Sequence, residues 1–296
     1  MAQIKLVWQS KLVLLLVLPF AAASVVLQGH FFADNSPEAA IWTLGLSLIL
    51  GMVVYRLRAA TPGAAFVGAV ITANLMFSTA NYPYQPWRTA LIPLLAVFVL
   101  SLSATRLGRE QKERLGTAER RQGRSAAQVA ANLGVAAIAS SDLAQSWLSG
   151  SGWLPRTPQS PMLLFAVGLA ALAEAAADTV SSEIGQVLGA KPRMMTTLRQ
   201  VDPGTDGAIS LIGTLAGMAA AALVSLAGTL ALGGDRAMLA IGCAGGIFGL
   251  FFDSLLGATF ERRGWLNNDA VNFLSTACAA GFALGLLAML PHPGLR

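Results

Sequence analysis

An all-α, polytopic membrane helix bundle is the fold this sequence predicts, and three observations predict it. Of 296 residues, 55% are hydrophobic and only 12% are charged, with a mean hydropathy of +0.61; a soluble domain carries about 25% charged residues. The apolar residues gather into about nine segments, several with 17 or more nearly uncharged residues, long enough to cross about 30 Å of hydrocarbon. The basic residues sit at segment edges and favour one side of the membrane. Residues 1–296 therefore read as one integral membrane domain.

The segments fall at about 12–28, 38–55, 63–80, 89–105, 125–146, 161–179, 208–232, 237–257 and 270–290. Residues 1–29 read as a first span with the N-terminus cytoplasmic. A signal peptide is the alternative there, because Lys5 and Lys11 precede the apolar run and Ala21-Ala22-Ala23 offers a cleavage site. Segments 63–80 and 125–146 are the weakest, being rich in Ala, Gly and Asn. With the N-terminus inside, only Arg88, Arg156, Arg236 and Arg296 of the 20 Lys and Arg fall outside. One span more or fewer would scramble that bias for every later loop. The longest connections are about 106–124 and 180–207. The first, RLGREQKERLGTAERRQGR, mixes charges at helical spacing and predicts a basic cytoplasmic loop with a solvated helix near lipid headgroups.

Several chemistries lack material. Cys243 and Cys278 both lie within apolar segments, so a disulfide framework or a C-x-x-C zinc site is excluded. His30 and His292 lie near segment or chain ends, away from any polar cluster. The net charge of +5 does not indicate nucleic-acid binding, because topology accounts for where the basic residues sit.

The polar clusters that need explaining fall on the inner side. In AEAAADTVSSEIG, Glu174, Asp178, Ser181 or Ser182, and Gly185 share one helical face, while Glu183 points elsewhere if the helix continues. Carboxylates in lipid cost roughly 2.5–3.5 kcal/mol each and default to function. In VDPGTDGAIS, Pro203-Gly204 predicts a turn, and Thr205 or Asp206 then caps the next helix. Such a helix start, from Gly204 to Gly207, suits a phosphate. In FFDSLLGATFERRGWLNNDAVN, Asp253 lies in the last turns of a span, ahead of Arg262, Arg263, Asn267, Asn268, Asp269 and Asn272. In GRSAAQVAANLG, Arg124 marks a membrane edge, and Gln128 and Asn132 are one turn apart.

Each cluster also has a structural reading. Asp206 can be a helix cap, Gln128 and Asn132 can bond neighbouring helices, and Arg262 and Arg263 can be topology signals. The pairs Gly213/Gly217 and Gly245/Gly249 have the small-xxx-small spacing of close helix packing. Asp178 and Asp253 are harder to explain structurally. One arrangement joins the clusters: carboxylates hold Mg²⁺, arginines and a helix start hold phosphates, and the surrounding helices admit a lipid tail.

In order, GRSAAQVAANLG, DTVSSEIG, KPRMMTT, VDPGTDGAISLIGT and FDSLLGATF resemble the integral membrane family known as domain of unknown function 92, or transmembrane-protein-19-like, from about residue 30 to the C-terminus. The family's first acidic motif reads more like DTWASEIG. Val180 and Ser181 depart from it, and Glu174 lies outside it. The resemblance implies the activity of the family's plant and cyanobacterial members, which convert phytyl phosphate to phytyl diphosphate with a nucleoside triphosphate. The family is also distantly similar to CTP-dependent polyprenol and phytol kinases and to phosphatidate cytidylyltransferases, whose Asp-Ser, basic, acidic order Asp253-Ser254, Arg262-Arg263 and Asp269 follow loosely.

The expected function is a kinase for an isoprenoid monophosphate such as phytyl phosphate, with CTP favoured as donor, in the cytoplasmic membrane of a bacterium. Asp178, Glu183 and Asp253 are the expected catalytic residues, with Asp178 and Asp253 as Mg²⁺ ligands. Lys191, Arg193, Gly204, Thr205, Asp206, Gly207 and Arg263 are expected to hold phosphates. Arg124, Gln128, Asn132, Ser182, Ser254, Asn268 and Asn272 are supporting polar groups. A transporter or lipid-flipping protein is the rival reading, since intramembrane carboxylates also mark ion-coupled transport. Against it stand the one-sided polar clusters and the lack of a convincing inverted repeat. A non-catalytic assembly protein leaves the acidic motifs unexplained, and cytidylyl transfer to a lipid phosphate is the nearest enzymatic alternative.

Overall fold

The computed structural model describes residues 6–119, 121–150, 160–189 and 191–290, and in it every apolar segment is helical. In chain order these are α1 (Val7–Asn35), α2 (Pro37–Arg56), α3 (Pro62–Ser78) and α4 (Leu91–Arg106), followed by the short α5 (Arg109–Leu115). Then come α6 (Ala126–Ala139), α7 (Asp142–Gly150), α8 (Ser160–Leu188), α9 (Leu211–Leu232), α10 (Arg236–Leu256) and α11 (Asn268–Ala288). Lys5, Arg120, Arg156, His292 and Arg296 lie outside the described residues.

The nine expected spans resolve unevenly. Six helices, α1, α2, α8, α9, α10 and α11, are long and apolar enough to cross a membrane. α4 and α5 meet at a 65° bend and make a seventh if counted together, while α3 and α6 are shorter apolar helices. Nine full spans are thus not confirmed. The protein is a multi-pass helical membrane bundle, with strand confined to one small hairpin among the described residues.

Local chemistry sets the breaks. Thr61, Ser125, Ser210, Asp235 and Asn267 each cap a helix by accepting the backbone N–H three residues on. Segment 125–146 divides at Ser140-Ser141 into α6 and α7: Ser141 N donates to Ile138 O (3.2 Å), three residues back instead of four, and its hydroxyl accepts from Ala144 N (3.2 Å) at the start of α7.

α8 runs through the middle of the bundle, with 89% of its membrane-length window buried. Its Ala-rich surface, including Ala166, Ala170, Ala173 and Ala177, lets α4, α6, α9, α10 and α11 all pack against it. The expected glycine pairs serve this packing. A Cβ on Gly217 would lie 2.8 Å from Ala177 O, and one on Gly245 would lie 2.6 Å from Ala170 Cβ. α8 also extends past residue 179 to Leu188, so the whole acidic motif is helical.

Two ends of the bundle are distinct. At one end, Gln9 Nε2 donates to Trp265 O (2.9 Å), Arg106 Nη2 to Leu57 O (3.1 Å) and Arg124 N to Ala59 O (2.9 Å). These bonds gather the start of α1, the ends of α2, α4 and α10, and the starts of α3, α6 and α11. All four polar clusters lie at this basic end. At the other, Gln28 bonds Ser78 and Thr43 bonds Tyr84.

Candidate functional site

The site starts from α8. Glu174 and Asp178, four residues apart, face the same way inside the bundle, and Glu174 is only 1% exposed. The last turns of α10 bring Asp253 beside Asp178, close enough for the two carboxyls to act on each other. From α11, the buried Ser275 lies alongside Glu174 and Asp253, its hydroxyl donating to Asn272 O (3.0 Å). Gly249 makes the approach possible, because a Cβ there would sit 2.4 Å from Glu174 Cγ.

Arg124 completes the cluster. Its guanidinium donates to Thr179 Oγ1 (3.1 Å), on α8 beside Asp178, and its positive charge acts on the Asp178 carboxylate. Beneath, Asn272 Nδ2 donates to Asn132 Oδ1 (2.9 Å) and ties α11 to α6. These two asparagines therefore bond neighbouring helices. Glu261, in a π-helical turn that continues α10 over Gly257–Glu261, lies near enough to Asp206, Asp178 and Asp269 for their charges to act on it. Sequence reasoning passed over Ser275, Thr179 and Glu261, because nothing local marks them.

Other expected site residues are placed differently. Glu183, expected among the catalytic carboxylates, forms a buried ion pair with Lys112 (2.5 Å). Gln128 forms a capping box with Ser125, accepting from Ser125 N at 2.7 Å. The hydroxyls of Ser182 and Ser254 donate to carbonyls of their own helices, Thr179 O and Leu250 O. Asn268 is exposed on the first turn of α11.

Neither Thr205 nor Asp206 caps the next helix; Ser210 does, through Gly213 N (3.1 Å). Gly204 (φ +83°) and Gly207 (φ +72°) turn the chain into an antiparallel hairpin, β1 (Arg193–Met194) with β2 (Ala208–Ile209), so α9 begins only at Leu211. Residues 204–207 are therefore not a helix start. A Cβ on Gly207 would lie 2.1 Å from Ala258 N, so the hairpin rests directly on the π-helical turn. On this hairpin Lys191 and Arg193 are exposed, and Arg193 Nη1 donates to Leu198 O (2.8 Å). Arg263 stacks over the Trp265 ring at 5.5 Å. The arginine that acts on Asp206 is Arg262, whose Nη1 also meets Met194 Sδ (3.4 Å). Desolvation raises the Asp206 carboxyl above its usual range, and the Arg262 charge draws it part of the way back.

The donor set bears on Mg²⁺. Among the described residues no group of three or more His, Cys, Asp or Glu side chains is placed to hold a metal ion, so a cage made by the protein alone does not fit. Mg²⁺ is commonly held by one or two carboxylates together with substrate phosphates and water. Asp178 and Asp253 fit that mode, and Asp253 Oδ2 is buried without a hydrogen-bond partner among the described residues. Buried polar atoms are otherwise satisfied as a rule.

Residues 45–280 match the family described as integral membrane protein DUF92. The uncharacterized membrane protein MJ0933 of Methanocaldococcus jannaschii is 40% identical over 222 residues, covering 75% of this chain and 82% of that one. The uncharacterized membrane protein sll0875 of Synechocystis is 30% identical over 277 residues, 86% of this chain and 98% of that one. Protein VTE6, chloroplastic, of Arabidopsis thaliana is 30% identical over 247 residues, 81% of this chain and 68% of that one. No solved structure matches.

Proposed function

The chain belongs to the integral membrane protein family DUF92, and from that membership and the buried acidic cluster we propose a membrane-embedded phosphotransferase. Its reaction moves a phosphoryl group from a nucleoside triphosphate, CTP by preference, to an isoprenoid monophosphate such as phytyl phosphate. The site faces the cytoplasm, in the inner membrane of a bacterium. The observation that carries this reading is the meeting of Asp178 and Asp253, from two helices, beside Arg124 at the basic end of the bundle. The activity implied by the family resemblance points the same way.

The chemistry asks little of the protein's acid–base groups. A phosphate monoester has its second pKa near 6 and is largely dianionic at pH 7. Its oxygen attacks the γ-phosphorus; a new P–O bond forms as the bond to the bridging oxygen breaks, and the nucleoside diphosphate leaves with that electron pair. No strong general base is needed, which suits a cluster without histidine. Alignment and charge neutralisation then dominate catalysis. Asp178 and Asp253 would hold Mg²⁺, which supplies positive charge to the donor phosphates. Arg124 adds a fixed positive charge and orients phosphate oxygens through its forked donors. Glu183, already paired with Lys112, positions α8 rather than touching the reacting atoms.

The test uses purified protein in nanodiscs with Mg²⁺, geranylgeranyl or phytyl phosphate, and CTP or ATP in turn. Mass spectrometry of the products is expected to show a prenyl diphosphate and a nucleoside diphosphate, abolished by EDTA. A CDP-linked lipid with pyrophosphate would assign cytidylyl transfer instead. No product with any pair, from folded protein, would overturn the kinase reading and favour transport.

A further inference from the structure

A cavity of about 410 Å³ lies beside the acidic cluster, at the basic end of the bundle. Its size falls in the roughly 300–1,000 Å³ range of ligand sites. It fills the gap between α2 and α4, which barely touch, and is floored by α3 and α6. Leu50, Val54, Val97 and Phe98 make its wall apolar. Its mouth is the reverse. There the lining residues include Arg58, Arg106, Arg109, Arg121 and Arg124 against Glu113 and Glu119, an excess of three positive charges among them.

Three of these arginines are placed to receive an anion. Glu113 pairs with Arg109 (3.2 Å) and Arg121 (3.8 Å). Among the described residues, Arg58, Arg106 and Arg124 make no such ion pair. Arg58 is held with φ +55°, a left-handed backbone unusual for a side chain of its size. The next residue accepts Arg124 N through Ala59 O (2.9 Å), which locks Arg58 and Arg124 to the same rim. Arg124 belongs to both places: it lines the cavity and its charge acts on Asp178.

We propose that this cavity is the acceptor site, taking an isoprenoid monophosphate with its chain among α2, α3, α4 and α6 and its phosphate between Arg58, Arg106 and Arg124. The proposal rests on the phosphotransferase reading and adds the site to it. An excess of three charges matches a phosphate monoester, which is largely dianionic at neutral pH, better than the single charge of a phosphodiester headgroup. Arg124 then presents the acceptor oxygen toward the Asp178–Asp253 pair.

Gly68 supplies a clean test. It lines the cavity, and a Cβ there would come no closer than 3.9 Å to Val129 Cγ1. Gly68→Leu therefore fills the cavity without moving the helix, and leucine is the better helix former. Binding is read by native mass spectrometry and by crosslinking to a diazirine-bearing geranylgeranyl phosphate, without nucleotide. Wild type is expected to bind it. Gly68→Leu and the double variant Arg58→Gln/Arg106→Gln are each expected to lose at least tenfold in affinity, with crosslinks on α2, α3 or α4. Wild-type binding in both variants, crosslinks elsewhere, no binding to the wild type, or equal displacement by phosphatidate would each overturn the assignment. Binding lost in the variants, from a wild type that forms no diphosphate with any nucleotide, would uphold the site and overturn only the phosphotransferase reading.

Discussion

Lys112 is the most informative residue to remove. It lies on the short helix α5, between α4 and α6, yet its side chain is 1% exposed. Its ammonium donates to Ala104 O (3.0 Å), Thr105 O (2.7 Å) and Glu183 Oε2 (2.5 Å), so it closes the end of α4 and ties it to α8. Lys112→Met strands a carboxylate that is only 13% exposed and leaves two carbonyls without this donor. Removing one partner of a buried pair costs about 3–5 kcal/mol, and the residual exposure of Glu183 favours the lower end. At about 2–4 °C per kcal/mol, a fall in Tm of roughly 6–12 °C is expected in detergent. Lys112→Met/Glu183→Leu removes both charges and is expected to recover much of the loss, giving a coupling of about 2 kcal/mol in a double-mutant cycle. The double variant is also expected to keep turnover, as the proposed positioning role of Glu183 requires. A Tm for Lys112→Met within about 2 °C of wild type, or additive losses, would refute the pairing argument. Inactivity of a stable double variant would return Glu183 to the catalytic set.

Three further outcomes follow from the packing and the hairpin. Gly249→Ala drives a Cβ to within 2.4 Å of Glu174 Cγ and 2.7 Å of Ala279 Cβ, and overpacking of this kind costs about 1–3 kcal/mol, read as a lower Tm. Gly207→Ala places a Cβ 2.1 Å from Ala258 N at a φ of +72°, so limited proteolysis is expected to cut within 191–210 sooner than in wild type. Arg262→Met removes the charge that offsets desolvation of Asp206, so its carboxyl rises further. A raised folded-state carboxyl favours folding below the ordinary Asp range and loses that contribution as pH rises through the folded value. Hydrogen exchange of the hairpin is therefore expected to quicken in Arg262→Met at pH 7 and to approach wild type below about pH 4; equal acceleration at both pH values would contradict this.

Much of the architecture was legible because membrane helices announce themselves locally. Runs of apolar residues, caps such as Ser125 and Asn267, and glycine pairs at four-residue spacing each follow from the physics of one helix or of two helices in contact. Asp178 and Asp253 stood out for a similar reason, as carboxylates placed where lipid penalises charge. What was hidden depended on contacts between distant segments. Lys112 looks like one more charge in the solvated loop, and only the packing of α4 on α8 buries it. Arg58 and Arg106 read as topology signals until the gap between α2 and α4 brings them to one rim. Thr205 and Asp206 have the composition of a helix cap, but pairing of 208–209 with 193–194 delays the helix to Ser210. The span count differs for a related reason: α3 and α6 are apolar but shorter than a membrane-crossing helix, and both pack against several neighbours.

On the proposed mechanism Asp178 and Asp253 act together on a phosphate at the basic end of the bundle. The most direct test is single-turnover phosphoryl transfer to geranylgeranyl phosphate by Asp178→Asn and Asp253→Asn in nanodiscs, each shown folded by its Tm. Both are expected to lose at least about 100-fold in rate, the scale of losing a main electrostatic contact to a transition state, while still binding the acceptor. Wild-type turnover in either folded variant would contradict the account.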